Sequence, residues 1–223
     1  MKVRSFLMLI LLCVMVVCAV ACMSMHCKMH DKMCCAKIKD KACCKQDIAL
    51  RSTMRKLWEE HIVYTRDYIT SALASLEDID AIYNRLLKNQ DDIGDVIKPY
   101  YGDDAGKKLA SLLRGHIMIA TEVVKAAKMD SSDNLDVANK KWSANADAIA
   151  EFLSSANPNW PKKDLMDMLY THLALTTGEV KSRLKKDWVA DIDYYDRGHA
   201  HMLMFADMLS EGIEKQFQEK CKR

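Results

Sequence analysis

The sequence predicts an all-α protein: a bundle of about six helices, built from three helical-hairpin repeats of about 55 residues. Three observations carry this. First, the stretch Asn89-Gln-Asp-Asp-Ile-Gly-Asp-Val-Ile97 returns 56 positions on as Asn145-Ala-Asp-Ala-Ile-Ala-Glu-Phe-Leu153, and again as His201-Met-Leu-Met-Phe-Ala-Asp-Met-Leu209. Second, a block upstream repeats in step: Leu57-Trp-Glu-Glu-His61-Ile, Leu112-Leu-Arg-Gly-His116-Ile and Met168-Leu-Tyr-Thr-His172-Leu. Third, 223 residues contain only 7 Gly and 3 Pro. The Ile/Val/Tyr runs lack the period-two alternation and the turn dipeptides of β-hairpins.

Residues 1–22 read as a targeting segment. Lys2 and Arg4 precede an uncharged apolar run that ends Ala19-Val-Ala-Cys22. Small residues before a cysteine are the pattern of a lipoprotein cleavage box, with Cys22 as the lipidated residue. The run is also nearly long enough to stay as an uncleaved anchor. Either outcome places the chain in the cell envelope, outside the cytosol and held at a membrane.

Residues 23–46 form a tether of different composition. Met25, His26, Cys27, Met29, His30, Met33, Cys34, Cys35, Cys43 and Cys44 stand among lysines, with no apolar period and no Gly or Pro. Thiolates and thioethers favour Cu(I), and mixed Cys/His sets take zinc, so copper or zinc is the expected cofactor. The alternative is oxidation of these thiols to disulfides within or between chains. Eight of the nine cysteines precede residue 45 and the ninth is Cys221, so the helical region is not a disulfide scaffold.

From residue 47 to 223 the sequence reads as one helical domain, with hairpins at 47–102, 103–160 and 161–220. Helix one (about Asp47 to Ala74) aligns Met54, Leu57, Trp58, His61, Tyr64 and Tyr68. Helix two (about Asp78 to Tyr100) aligns Ile82, Leu86, Asn89, Ile93, Val96 and Ile97. Pro99 and the Tyr101-Gly-Asp-Asp104 turn are expected to close it, and Asp103 or Asp104 to cap the next. Helix three (about Asp104 to Met129) turns Leu109, Leu112, Leu113, His116, Ile119 and Val123 inward. Helix four (about Asn134 to Ser155) does so with Trp142, Asn145, Ile149, Phe152 and Leu153, before the loop Asn157-Pro-Asn-Trp-Pro161. Helix five (about Lys163 to Lys185) buries Leu165, Met168, Leu169, His172, Leu175 and Val180. Helix six (about Trp188 to Lys220) buries Tyr194, His201, Met204, Phe205, Met208 and Leu209. Because spacings of three and four share a helix face, each repeat's His or Asn falls on the apolar stripe.

That placement makes His61, His116, His172 and His201, with Glu179 one face-repeat after His172, a candidate metal set inside the bundle. The competing reading is that each imidazole hydrogen-bonds an Asn or a Thr hydroxyl across a helix interface. The Glu-x-x-His pairs of di-iron bundles and the H-E-x-x-H zinc motif are both missing. The carboxylate pairs Asp91/Asp95 and Asp147/Glu151 lie away from Asn89 and Asn145, on a solvated or interhelical face.

Charge is nearly balanced, 33 basic against 31 acidic side chains, and no aromatic residue interleaves with a basic patch, so nucleic acid is not an expected partner. Neither phosphate-cradling glycine pattern is present, so no nucleotide is expected. The expected partners are a membrane, through the N-terminal segment, and further copies of the chain, through helix faces or cysteines.

The wording Leu57-Trp-Glu-Glu-His61, Ile93-Gly-Asp-Val-Ile-Lys-Pro-Tyr-Tyr-Gly102, Asn145-Ala-Asp-Ala-Ile-Ala-Glu-Phe-Leu-Ser154 and Ala206-Asp-Met-Leu209 resembles a group of uncharacterised bacterial helical proteins sometimes labelled acetylglutamate kinase or glycosyltransferase. The resemblance covers about residues 55–218 and implies a shape without an activity. Those labels imply nucleotide-binding α/β sheets, for which this sequence has neither strands nor glycine-rich loops. The tether falls outside the resemblance. The sequence as a whole therefore points to a non-enzymatic handler of soft metal ions. The alternatives are an interaction protein with structural histidines and a metal-dependent enzyme built on the interior histidines.

Overall fold

The computed structural model describes residues 47–221, which are all-helical, with no strand among them. Residues 1–46, and with them the targeting segment, Cys22 and the whole Cys/Met/His tether, lie outside the described residues. The six helices are α1 (47–74), α2 (Ile79–Tyr101), α3 (Asp103–Lys128), α4 (Ser132–Ala156), α5 (Lys162–Leu184) and α6 (Trp188–Cys221). Among the described residues no helix is long and apolar enough to cross a membrane.

Three of the turns share one backbone solution. α1, α3 and α5 each end in a residue with left-handed backbone: Ser75 at φ 56°, Asp130 at 51° and Lys186 at 59°. The next residue's N–H then reaches back five positions: Leu76 to the Ser71 carbonyl (2.9 Å), Ser131 to Ala126 (3.1 Å) and Asp187 to Ser182 (3.0 Å). This six-to-one bond defines a Schellman ending, which satisfies carbonyls that the last helical turn leaves without partners. The three residues stand 55 and 56 positions apart.

At the opposite end, α2 gives way to α3 through the single residue Gly102, at φ 88°. The helix ends at the expected turn, one residue past Tyr100, and the structure departs from expectation at the cap of α3. α2 runs through Pro99 to Tyr101: Pro99 withholds one N–H from the carbonyl four residues back, that of Asp95, yet the helix continues and closes with the Gly102 N–H on the Lys98 carbonyl at 2.8 Å. Asp103 and Asp104 are not caps but first-turn residues of α3, where their charge meets the positive end of the helix dipole. The same end holds Tyr101, whose hydroxyl bonds Gln216 and Asn157, and the packed rings of Tyr101, Trp160 and Phe217.

Consecutive helices pack side by side, and α6 returns to α1. Arg51 pairs with Glu214, Arg55 with Asp207 and His199 with Glu59, so the ring of helices closes. α1, α3 and α5 also meet face to face: Ile69, Val124 and Val180 form one packed cluster. Residues 55 or 56 apart are buried alike. Met54, Leu109 and Leu165 are all buried, as are Trp58, Leu113 and Leu169, Ile93, Ile149 and Phe205, and Ile97, Leu153 and Leu209. Each such side chain removed from water contributes about 1.5–3 kcal/mol. One predicted core residue is misplaced: Met204 is 57% exposed, because it falls one residue short of the stripe that carries Phe205 and Leu209.

Candidate functional site

His61, His116 and His172 occupy matching places on α1, α3 and α5, about midway along each helix. On one side lie Trp58, Leu113 and Leu169. On the other lie Thr65, Ala120 and Thr176, then Ile69, Val124 and Val180. The three imidazoles are 2–3% exposed, and His201 is 7% exposed. The ring centres of His61 and His172 are 5.6 Å apart, and those of His116 and His172 are 5.9 Å apart. The bundle therefore brings the repeat histidines together.

Burial sets their charge. Loss of water pushes the pKa of His61 down to about 3, helped by His116 nearby, and that of His116 down to about 4. His172 is also pushed well down by burial, and then by the other three imidazoles. At neutral pH these rings are uncharged, each with one N–H donor and one bare acceptor nitrogen.

His116 has both nitrogens engaged. The Trp142 indole N–H, which can only donate, bonds its Nε2 at 3.1 Å, so Nε2 is the bare nitrogen. The proton is therefore on Nδ1, which donates to Asn145 Oδ1 at 2.8 Å. Asn145 completes the chain by donating from Nδ2 to the Leu112 carbonyl at 3.1 Å. The second helix of each hairpin makes the same reach: Asn89 Nδ2 donates to the Leu57 carbonyl (2.9 Å), and His201 Nε2–H to the Met168 carbonyl (2.8 Å). Each of the three carbonyls belongs to the residue four before its hairpin's histidine.

His61 and His172 are served differently. The oxygen of Asn89 accepts from Gln90 Nε2 at 3.0 Å, so it is not offered to His61. His172 faces His201 in the place of an asparagine. Where the middle hairpin has Trp142, the others have Leu86 and Gly198, which offer no side-chain donor. Because Asn145 is what bonds Nδ1 of His116, and neither Asn89 nor His201 does the same, Nδ1 of His61 and of His172 is buried without a partner, as are Gln90 Oε1 and Trp58 Nε1. Gln90 lies near enough to favour the charged form of His61 slightly, against the larger effect of burial. Thr65 and Thr176 do not serve the rings: each hydroxyl bonds its own helix, at the His61 and His172 carbonyls. One turn beyond the imidazoles, a cavity of about 20 Å³ is lined by Thr65, Ile69, Trp142, Thr176 and Val180, among others.

Glu179 is buried but committed. Arg66 donates to it at 2.8 Å and to both oxygens of Asp191, which also accepts from Arg183 at 2.9 Å. Burial raises the Glu179 pKa, while Arg66 pulls it back. Among the described residues no three His, Cys, Asp or Glu side chains are placed to share a metal ion. The carboxylates of the outer faces make interhelical or local pairs: Asp91 with Arg114, Asp95 with Lys98, Glu151 with Lys162, and Asp147 with the Tyr170 hydroxyl.

Sequence reasoning missed Gln90, Arg66 and Asp191. Gln90 follows Asn89 on the stripe and was visible there. Arg66 is five residues after His61, off its face, and nothing in the spacing marks its partners. No protein-family model, curated protein or solved structure matches the chain.

Proposed function

We propose that this chain is a non-enzymatic handler of soft metal ions, held at a membrane outside the cytosol. Its Cys/Met/His arm, residues 23–46, binds copper or zinc, and the bundle serves as the carrier. The bundle consists of three copies of one helical hairpin. Three matching turns, three matching side-chain-to-carbonyl bonds and matching burial support the repeat.

The observation that carries the functional reading is the arm's donor set, ten soft or borderline ligands from Met25 to Cys44. Methionine and histidine gain nothing from disulfide formation, whereas all three residue types bind Cu(I). The bundle interior supports the same division of labour. His116 has both nitrogens committed and Glu179 is locked to Arg66, so the enzyme reading loses two of its ligands.

A second reading, an interaction protein with purely structural histidines, draws support from His116 and His201, whose bonds tie one helix to another. Elemental analysis separates the two. The full chain is expected to carry copper or zinc, and a chain beginning at Asp47 to lose most of it. Equal metal in both, or none in either, removes the arm-based reading. Non-reducing electrophoresis showing cysteine-linked dimers without metal supports the second.

A further inference from the structure

The middle hairpin satisfies its histidine completely, while the outer two each leave a buried Nδ1 without a hydrogen-bond partner, and those two rings are neighbours. We propose that His61 and His172 form a two-histidine site for a soft monovalent d10 cation, Cu(I) or Ag(I), within the bundle. The proposal deepens the metal-handling reading by adding a second, interior site, but it stands on different residues from the arm.

Distance is the first support. An imidazole nitrogen sits about 2.0 Å from a bound metal, and the ring centre about 1.1 Å further, so two rings on one ion have centres about 5 Å apart at a tetrahedral angle and about 6.2 Å apart when collinear. The observed 5.6 Å lies between these limits. His116 is at a similar distance from His172, yet its nitrogens are spent on Trp142 and Asn145.

The second support is that both Nδ1 atoms are buried without a hydrogen-bond partner. Such atoms cost free energy unless something binds them, and a cation is a partner that two neutral bare nitrogens can share.

The class of ion follows from the surroundings. Around the pair lie Trp58, His116 and the apolar layers, and the buried carboxylate Glu179, seven residues after His172 on the same helix, is paired with Arg66. A divalent ion would enter this dry interior with little charge compensation and too few ligands for tetrahedral coordination. A d10 monovalent ion carries less charge and accepts two ligands. Gln90 Oε1, also unpartnered, lies beside His61 as a further oxygen donor.

The test uses the full chain labelled with ¹⁵N-histidine, in chloride-free buffer, titrated with Ag(I) alone and followed by long-range ¹H–¹⁵N spectra. Once the arm is saturated, the ring nitrogens of His61 and His172 are expected to move together, while those of His116 and His201 stay. The His172→Leu variant is expected to abolish the His61 response. Should that variant unfold, the wild-type spectra decide alone. Movement of His26 and His30 without His61 and His172 overturns the interior site and leaves the arm reading standing. No movement in any of them overturns both. A matching response of His61 and His172 to Zn(II) overturns the assignment to a monovalent ion.

Discussion

Trp142 donates its indole N–H to Nε2 of His116 across the α3–α4 interface, and this single bond fixes which nitrogen of the ring carries the proton. A donor-only group forces the acceptor role, the other nitrogen must then donate, and Asn145 is turned to receive it. Trp142→Phe keeps an aromatic ring, though a smaller one, and removes the donor, leaving a buried acceptor bare. Such a loss costs about 1–3 kcal/mol. Urea unfolding is expected to show it, and the ¹⁵N spectrum of His116 is expected to change from a single Nδ1–H tautomer to a mixture. An unaltered tautomer in the variant would show that Asn145 alone sets it.

The same burial makes the bundle acid-sensitive. His61, His116 and His172 bind protons more weakly in the folded chain than in the unfolded one, where a histidine has its ordinary pKa near 6.5. Below about pH 6.5 the unfolded state therefore holds more protons, and stability falls as pH falls. Each extra proton contributes about 1.4 kcal/mol per pH unit, so three histidines together approach about 4 kcal/mol per unit in the steep region. Glu179, whose pKa is raised on folding, works the other way as pH drops towards its unfolded value, and offsets part of one proton. Circular dichroism against pH is expected to show cooperative unfolding between about pH 6 and 4, with stability steady above pH 7. A bundle intact at pH 3 would mean that the rings are reached by water.

How much of this was legible beforehand depends on the range of the interaction. Helix faces were readable, because a spacing of three or four residues is a local property, and all three repeat histidines were placed on the buried stripe. Pairing across helices was not. In sequence His61, His116 and His172 look alike, and the columns Leu86/Trp142/Gly198, Asn89/Asn145/His201 and Gln90/Ala146/Met202 together separate the satisfied ring from the others. The repeat register also held an unused warning. Met204 stands in register with Asp92 and Ala148, two residues with no reason to be buried, so its exposure was readable from the other copies. The links between Arg66, Glu179 and Asp191 span more than a hundred residues of sequence, and no local pattern announces them.

That network gives a third prediction. Arg66 bridges two carboxylates, of which Asp191 is 2% exposed, and Arg183 reaches only Asp191. Arg66→Ala would leave Glu179 buried without an ion-pair partner, with only the weaker field of Arg183 to favour its charge, a loss of up to about 3–5 kcal/mol by comparison with other broken buried pairs. Because a lone buried carboxylate escapes by taking up a proton, the variant is expected to regain part of its stability as pH is lowered from 8 to 6. Arg66→Ala paired with Glu179→Gln should cost less than Arg66→Ala alone. Equal losses would mean that Asp191, not Glu179, is the stranded group.

The three Schellman turns give a fourth. Ser75, Asp130 and Lys186 hold left-handed backbone without being glycine, at about 1–2 kcal/mol each. Replacing any one with glycine relieves that cost, against some extra freedom in the unfolded chain. Each of Ser75→Gly, Asp130→Gly and Lys186→Gly is expected to raise stability by up to about 1 kcal/mol. Ser75→Gly and Asp130→Gly are not expected to be additive, because Lys128, two residues before Asp130, donates to the Ser75 hydroxyl and ties the two turns together. Thermal melting of the single and triple variants checks it, and a loss at Ser75 alone would point to its hydroxyl, which accepts from Lys128.

The contact between α2 and α3 supplies the last prediction, because two glycines on these helices behave oppositely. A methyl group at Gly94 would lie 2.5 Å from the Gly106 carbonyl oxygen and 2.8 Å from the Ala110 Cβ, neither of which can swing aside. The helices would have to part, and overpacking of this kind costs about 1–3 kcal/mol. At Gly115 the same methyl meets only Asn145 Nδ2, at an ordinary 3.6 Å. There alanine gains helix propensity of about 0.5–1 kcal/mol without a clash. Gly94→Ala should therefore lower the denaturant midpoint and Gly115→Ala raise it. The positions in register with Gly94 are Ala150 and Ala206, both fully buried, so the extra methyl is tolerated in the other two hairpins. What sets the first hairpin apart is the neighbour it meets, α3 through the single-residue link at Gly102, where the two backbones approach more closely than side chains allow. If Gly94→Ala proved neutral, that close approach would not be a requirement of the fold.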